Sequence, residues 1–194
     1  MTSTKDRVLD AAIELVGTQG LRSLTHARVD DWAGVPKGST SNYFRSRKTL
    51  LSGVLDRIEE LERADAWPLA HPSTVEAFLA QLCGVLDHVT GKNRIQTTAR
   101  LVLFMEASHD PALREVINRA RARMEADLVV TMAALGSRDP IRAAAAIAAS
   151  AEGLILHRIA RHDTTDARPV LELVIRAGLD VGDEATPGTP TKKP

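Results

Sequence analysis

The sequence lacks several features expected of a secreted or membrane protein. It contains one cysteine, Cys83, so no intramolecular disulfide can form, and the apolar helical pattern around Cys83 predicts a buried thiol. No apolar run approaches the ~20 residues that a membrane-spanning helix needs. No basic and then apolar signal segment begins the chain. We therefore expect a cytoplasmic protein with no membrane partner.

Aromatic residues are scarce as well, at 3% of the chain, although hydrophobic residues make up 44%. No segment alternates apolar and polar residues as a half-buried strand would. The abundance of alanine and leucine favours helices instead. The composition predicts an all-α protein with a hydrophobic core.

The chain also lacks net charge, because 25 Lys and Arg residues balance 25 Asp and Glu residues. The balance is uneven along the chain: residues 1–50 contain eight basic and five acidic residues, so this segment carries +3 and the remainder −3. A positive N-terminal part is the sign expected of a nucleic-acid-binding segment.

Apolar periodicity and capping residues predict a succession of helices. Thr25, a Ser73–Glu76 capping box, Asp110-Pro111 and Asp139-Pro140 are typical helix starts. Prolines at Trp67-Pro68 and His71-Pro72 predict a break between two parts of the chain. The predicted helices cover about 5–19, 25–33, 37–43, 47–65, 73–90, 94–107, 110–134, 139–160 and 167–180.

The segment "GVPKGSTSNYFRSR", residues 34–47, is rich in short polar side chains and cations. It follows a predicted short helix and a turn at Gly34-Val35, the layout of a helix-turn-helix. The second helix of that motif enters the major groove, where short hydrogen-bonding side chains meet base edges. The alternative is a polar turn between two core helices, and the spacing by itself leaves both open.

Residues 5–60 resemble the DNA-binding segment of the TetR/AcrR family of transcriptional regulators. The resemblance rests on Thr25, Ala33-Gly34-Val35, Pro36-Lys37-Gly38-Ser39, Tyr43-Phe44, Arg47 and Leu50, which stand at the family's spacing without a gap. It implies a three-helix helix-turn-helix domain at 1–46, joined through a long fourth helix to a helical effector-binding and dimerisation domain at 47–182. The composition of residues 183–194 predicts a disordered tail.

The resemblance also implies roles for individual residues. Thr25, His26 and Arg28 would contact phosphates at the start of the first motif helix, and Tyr43 and Arg47 would do so across the groove. The residues implied to face the groove are Lys37, Ser39, Thr40, Ser41 and Asn42. Three positions depart from the family pattern: Ser41 replaces a tyrosine, Arg47 a lysine, and Asp30 a small residue. We expect Asp30 to form hydrogen bonds across the motif, to the hydroxyl residues at 39–41.

The larger half is expected to enclose an effector pocket and to dimerise. The apolar run 101–105 predicts a deeply buried segment. An apolar pocket with few polar groups suits a small hydrophobic or weakly polar effector. The candidate pocket residues are Trp67, Phe78, His88, Arg100, Phe104, Met105, Glu106, His109, Asn118, Met124 and Glu152. The candidate dimer residues, on the last two helices, are Ile147, Leu154, Ile155, Val170, Leu171, Val174 and Ile175.

These features together predict a homodimeric repressor that a small-molecule effector releases from double-stranded operator DNA. No cofactor or metal is expected. One alternative is a helical metal-dependent enzyme, suggested by Glu152, His157 and His162, but five-residue steps place such pairs on different helix faces. Another is a DNA-binding activator without a ligand response.

Overall fold

The computed structural model describes residues 3–65 and 72–180, and over these ranges the chain forms α-helices and no strand. A 3₁₀ turn, Leu21–Ser23, precedes the second helix. The helices are α1 (Thr4–Gln19), α2 (His26–Ala33), α3 (Ser39–Tyr43), α4 (Arg47–Asp65), α5 (Val75–Thr90), α6 (Arg94–Glu106), α7 (Pro111–Ala134), α8 (Pro140–Ala160) and α9 (Arg168–Asp180). The all-α prediction is confirmed, and each predicted helix is present within about two residues of its expected ends.

Most predicted caps are also present. Thr25 caps α2 by accepting a hydrogen bond from the Arg28 amide, and Asp110 and Asp139 cap α7 and α8, each with a proline at the first helical position. The expected capping box at Ser73 is wrong. Thr74 caps α5 instead, because its hydroxyl accepts from the Ala77 amide at 3.1 Å.

Two hydrophobic clusters organise the described residues. The first cluster joins α1, α2 and α4 to the inner faces of α6 and the start of α7. The second cluster joins α5, the C-terminal half of α7, α8 and α9. Because α4 packs on α1 as well as on α6 and α7, it connects the N-terminal helices to the larger bundle. The domain boundary at 46/47 stays a prediction.

Helix α8 is long and apolar enough to cross a membrane by length and composition, although one such helix is weak evidence. It packs against α7 and α9 as a member of the helical bundle. Two expectations lie outside the described residues, namely the break at Trp67-Pro68 and the tail at 183–194.

Candidate DNA-recognition surface

Helices α2 and α3 form the two arms of a helix-turn-helix. Gly34 ends α2 in the left-handed conformation, at φ 61°, and its amide donates to the carbonyls of Asp30 and Asp31. Gly38 precedes α3 with φ 89°, a conformation that residues with a Cβ rarely adopt. The turn predicted at Gly34 is confirmed, and a second glycine orients the chain into α3.

Helix α3 has one buried and one exposed face. Thr40 and Phe44 point inward, and Phe44 lies so close to Gly53 of α4 that a Cβ there would be 2.5 Å from its ring. Ser41, Asn42 and Tyr43 are exposed, and Ser39 is half-buried. The exposed Lys37 and Arg45 flank this face. The exposed face thus combines short hydrogen-bonding groups with cations, as a groove-reading surface requires.

The structure corrects the role expected for Thr40. Its side chain is 0% exposed and its hydroxyl donates to Asp30 at 2.5 Å, so it cannot face the groove. Asp30 is itself 2% exposed and also accepts from the amides of Gly38 and Thr40, each at 2.7 Å. The hydrogen bonds that we expected Asp30 to form across the motif are therefore present, with Thr40 as the hydroxyl partner.

The Asp30 carboxyl is ionised in this arrangement. Burial by itself would raise its pKa, but the hydrogen bonds from Thr40 and Gly38 outweigh burial and hold the pKa below its ordinary value. A negative charge consequently sits beside the amide groups at the start of α3, where the helix dipole is positive.

Three residues expected at phosphates have partners within the chain. His26 donates through Nε2 to the Phe44 carbonyl at 2.7 Å, and Arg28 bonds to the Gln19 side chain. Arg47 donates to the carbonyls of Leu24 at 2.5 Å and Leu21 at 2.9 Å. Two of its guanidinium nitrogens therefore join the start of α4 to the segment before α2. The Arg47 side chain is also exposed, and its contact with a phosphate stays a prediction.

Sequence reasoning missed two contacts that support the motif. Arg7 of α1 donates to the carbonyls of Ala33 at 2.7 Å and Gly34 at 3.1 Å, at the C-terminal end of α2. The exposed Trp32 donates through its indole nitrogen to Glu14 at 2.9 Å. No local pattern could predict either contact, because the partners lie 18 or more residues apart in the sequence.

In the larger half, ion pairs occupy the region between α4, α6, α7 and α8. Arg100 contacts Glu62 at 3.3 Å and Glu152 at 3.6 Å. Arg121 contacts Glu152 at 2.5 Å and Glu125 at 2.7 Å. Burial raises the pKa of Glu62, and Arg100 opposes that rise. We call these five side chains the charged network; it includes two predicted pocket residues, Arg100 and Glu152.

The other expected pocket residues do not converge. Phe78 is fully buried in the second cluster, whereas Met105 is 68% exposed and Phe104 about half as much. The predicted deep burial of 101–105 is therefore wrong except at Leu103, because Leu101 and Val102 are only partly buried. Helix α6 packs on α1, α4, α5, α7 and α8, and this packing leaves Phe104 and Met105 exposed. His88 and Glu106 are partly buried; His109, Asn118 and Met124 are exposed; Trp67 lies outside the described residues.

The expected dimer residues need a similar correction. Ile147, Leu171 and Ile175 are buried within their own chain, in the second cluster, and cannot contact a partner. Leu154, Ile155 and Val174 pack partly against that cluster, and Val170 is exposed. The reason is that the predicted apolar stripe of α9 faces α8 of the same chain. The two helices approach closely at Gly178 of α9, where an added Cβ would lie 2.8 Å from the Cβ of Ala143 in α8.

The exposed apolar residues lie on the opposite faces of these two helices. On α8 they include Ile141, which is 71% exposed, and Leu156; on α9 they include Leu173, which is 70% exposed, beside Val170. Periodicity could not separate the inner from the outer face, because α9 carries apolar residues on both.

The fold and the exposed face of α3 define a helix-turn-helix transcriptional regulator. A family model described as a tetracyclin repressor-like C-terminal domain matches residues 73–181. The chain therefore belongs to the TetR family, as its N-terminal motif suggested. It is a ligand-responsive DNA-binding regulator.

Known proteins resemble this chain over nearly its whole length. The transcriptional regulator BetI of Brucella melitensis is 24% identical over 86% of this chain and 85% of its own. The structure of the multidrug binding protein EbrR complexed with ethidium is 26% identical, with a TM-score of 0.72 over 89% of this chain and 98% of its own. A TetR-family protein of Streptomyces coelicolor is 25% identical, with a TM-score of 0.73 over 93% and 100%.

Proposed function

We propose that this protein is a homodimeric, cytoplasmic repressor whose two α3 helices read an operator, and that an effector releases it. The observation that carries the proposal is the exposed face of α3, where Ser41, Asn42 and Tyr43 lie between Lys37 and Arg45. The short side chains match base edges, and the cations match the phosphates beside them. Ser39 stays a candidate for the groove, and the candidates for phosphate contacts are Thr25, His26, Arg28, Tyr43 and Arg47.

The dimer interface that we propose is formed by the outer faces of α8 and α9. One helix-turn-helix contacts one half-site, whereas a two-fold dimer contacts two half-sites about 34–36 Å apart. Ile141 and Leu173 are the most exposed of the large apolar side chains described on these helices, and exposed apolar side chains of this kind suit an interaction surface. Alanines at 145 and 149 on the same face of α8 permit close helix approach.

Selection of duplexes from a random library, followed by binding titrations, tests DNA reading. We expect wild type to enrich a two-fold symmetric sequence. Asn42→Ala should lose most of the preference at one base position, about 1–3 kcal/mol of discrimination. Lys37→Ala should weaken binding to all duplexes and reduce the salt dependence by about one charge.

Lys92→Ala is the matched control, because Lys92 is an exposed cation in the larger half. It should leave the selected sequence and the affinity unchanged. If wild type enriches no sequence, or if Lys37→Ala and Lys92→Ala behave alike, the reading of DNA by α3 is refuted.

The effector region that we propose is the charged network. Glu62 belongs to α4, which also packs against α1, so a ligand that rearranges Glu62 acts on the helix that joins both halves. A ligand shifts the repressor only if it favours the arrangement that does not fit the operator. The network has three carboxylates and two guanidiniums. Because carboxylates are in excess, we propose an aromatic cation in place of the small hydrophobic or weakly polar effector expected from the sequence.

The solved structures of EbrR with ethidium and with proflavin, the latter 28% identical to this chain, supply the probes. Ethidium fluorescence, measured without DNA, should rise saturably with wild type. Glu62→Gln should weaken this binding, because it removes a carboxylate that a cation would pair with. Glu115→Gln, an exposed carboxylate on α7 outside the network, should not. Equal binding by all three proteins would refute this location.

Repression itself is tested by a reporter downstream of the selected sequence. Expression should rise when the regulator gene is deleted and when the effector is added. A fall on deletion would instead indicate an activator. A catalytic role has no support from the family, whose members regulate transcription.

A further inference from the structure

Helix α3 lacks a capping side chain of its own. The residue before it is Gly38, and no side chain at that position can accept a hydrogen bond from the first amides of the helix. The carboxylate of Asp30, eight residues earlier on α2, performs this function for the Gly38 and Thr40 amides. One residue of the first arm thus supplies the N-terminal cap of the second arm.

The same residue fixes α3 through two further bonds. The Thr40 hydroxyl donates to the Asp30 carboxylate, and the Asp30 carbonyl accepts from the Val35 amide in the turn. The side-chain carboxylate and the backbone carbonyl of Asp30 are therefore both hydrogen-bonded to the segment that leads into and begins α3. With five residues, α3 is too short to form an independent helix, so its direction depends on such tertiary contacts.

The three bonds to the Asp30 carboxylate come from Gly38 and Thr40, at the start of α3 and on its buried side. Thr40 is 0% exposed, while its neighbours Ser41 and Asn42 are exposed one and two residues later. A shift or rotation of Thr40 consequently moves those two side chains by a similar amount relative to the groove. Hydrogen bonds to base edges tolerate displacements of only about 0.5 Å.

We infer that the Asp30–Thr40 pair is a specificity-determining positioning device, which sets the rotation and depth of α3 and thereby the bases that Ser41 and Asn42 prefer. Neither residue contacts DNA in this account. The inference rests on the proposed function, since only a DNA-reading helix has a base preference to set. It predicts that disturbing the pair changes specificity more than total affinity.

The test compares sequences selected from a random duplex library by wild type and by Asp30→Asn. The asparagine is nearly isosteric, but its NH₂ group cannot accept from the donors that surround Asp30. We expect the affinity of Asp30→Asn for the wild-type selected duplex to fall at least about tenfold, with affinity for a scrambled duplex changed less than about twofold. The selected sequence should broaden at the bases nearest Asn42.

The matched control is Asp10→Asn. Asp10 also accepts charge-assisted bonds in the N-terminal half, from Arg57 at 2.8 and 3.3 Å, but it joins α1 to α4 and does not contact α3. It should lower the unfolding temperature without changing the selected sequence. If Asp10→Asn broadens the sequence as Asp30→Asn does, or if Asp30→Asn lowers both affinities equally, the pair is merely structural and the inference is overturned.

The variant Asp30→Ala with Thr40→Val keeps the test valid if Asp30→Asn does not fold. Removing both side chains leaves no buried carboxylate or hydroxyl unpartnered, while the Gly38 and Thr40 amides lose their acceptor, which costs about 1–3 kcal/mol for each buried group. The double variant should fold and still show the broadened sequence, because α3 has lost its cap. An unchanged sequence in the folded double variant would overturn the inference.

A measurement without DNA separates the two proposals. Hydrogen exchange of the Thr40 amide should be slow in wild type and in Asp10→Asn but faster in Asp30→Asn. If wild type selects no DNA sequence while this exchange pattern is present, the proposed function fails and the positioning of α3 by Asp30 remains. Equal exchange in all three proteins overturns the positioning, whatever DNA they bind.

Discussion

The two halves of the molecule differ in which side chains they leave exposed to water. In the N-terminal half, cluster-forming side chains are buried and polar groups have partners from other helices, as Asp30, Arg7 and Arg47 illustrate. In the C-terminal half, α8 and α9 bury one apolar face and leave another in water, including Ile141 and Leu173. The large exposed side chains of the first half, Trp32 and Tyr43, carry polar groups, whereas the second half exposes aliphatic side chains that suit a second copy of the chain.

The proposed function accounts for this difference. A reading surface must be rigid before DNA arrives, so its internal polar groups are paired within the chain. A pairing surface is completed only by the partner, so its apolar side chains stay exposed in the single chain. The following experiments test this comparison, starting with the largest expected effect.

Charges placed on the outer faces of α8 and α9 should prevent two copies of the chain from dimerising. The double variant Ile141→Asp, Leu173→Asp should be monomeric by sedimentation, because it would bury unpaired carboxylates in the interface. Operator affinity should fall by about 100-fold or more with the loss of the second half-site contact. Met105→Asp, equally exposed on α6, should stay dimeric. A dimeric double variant would contradict the interface.

Truncating the inner face of α9 should destabilise the chain itself. Leu171→Ala is expected to cost about 2–5 kcal/mol of unfolding free energy, because Leu171 is fully buried in the second cluster. Glu172→Ala, its partly exposed neighbour, should cost much less. Denaturant unfolding at one protein concentration measures both. Similar costs for the two would show that the inner face is not packed as described.

Two glycine substitutions compare a helix crossing with an open surface. A Cβ on Gly17 of α1 would lie 2.2 Å from the Ile95 carbonyl of α6, so Gly17→Ala should destabilise the protein by about 1–3 kcal/mol. A Cβ on Gly84 of α5 meets nothing within 4 Å, and Gly84→Ala should stabilise by about 0.5–1 kcal/mol. Thermal unfolding would show opposite shifts; shifts of the same sign would contradict the close crossing.

Acid should affect Asp30 in a direction set by its lowered pKa. The folded state binds a proton at Asp30 less readily than the unfolded state, whose carboxyl has a pKa of 3.8. Its contribution to stability is therefore complete well above pH 3.8 and is lost as the pH falls through that value towards the folded pKa. Wild type should lose stability below this pH more steeply than Asp30→Asn, a small effect that parallel acid titrations would resolve; identical curves would contradict it.

The sequence predicted the positions of the helices better than it predicted which residues of α3 are exposed. Helix positions followed from periodicity and caps, and Thr25, Asp110 and Asp139 cap as their local sequence indicates. These are contacts within four residues of the chain. Thr40 was mistaken for a groove residue because a five-residue helix gives too little pattern to tell its inner face from its outer face. The groove-facing residues themselves remain a prediction.

The larger half was harder to predict for a second reason. Phe78, Arg100, Met105 and Glu152 were grouped by residue type, yet Phe78 is in the core, Met105 is outside, and only the charged pair meets. The type of a residue does not determine whether its side chain is buried, because burial depends on which helices pack against it.

The sequence by itself determined the helices, their ends and the family motif, since each depends on bonds and side-chain spacing within a few residues. Only the tertiary structure decided which face of each helix is inside, that Asp30 caps α3 across the turn, and that glutamates and arginines meet between α4 and α8. The physical reason is that these outcomes depend on distances between residues far apart in the chain, which only the packing of helices brings together.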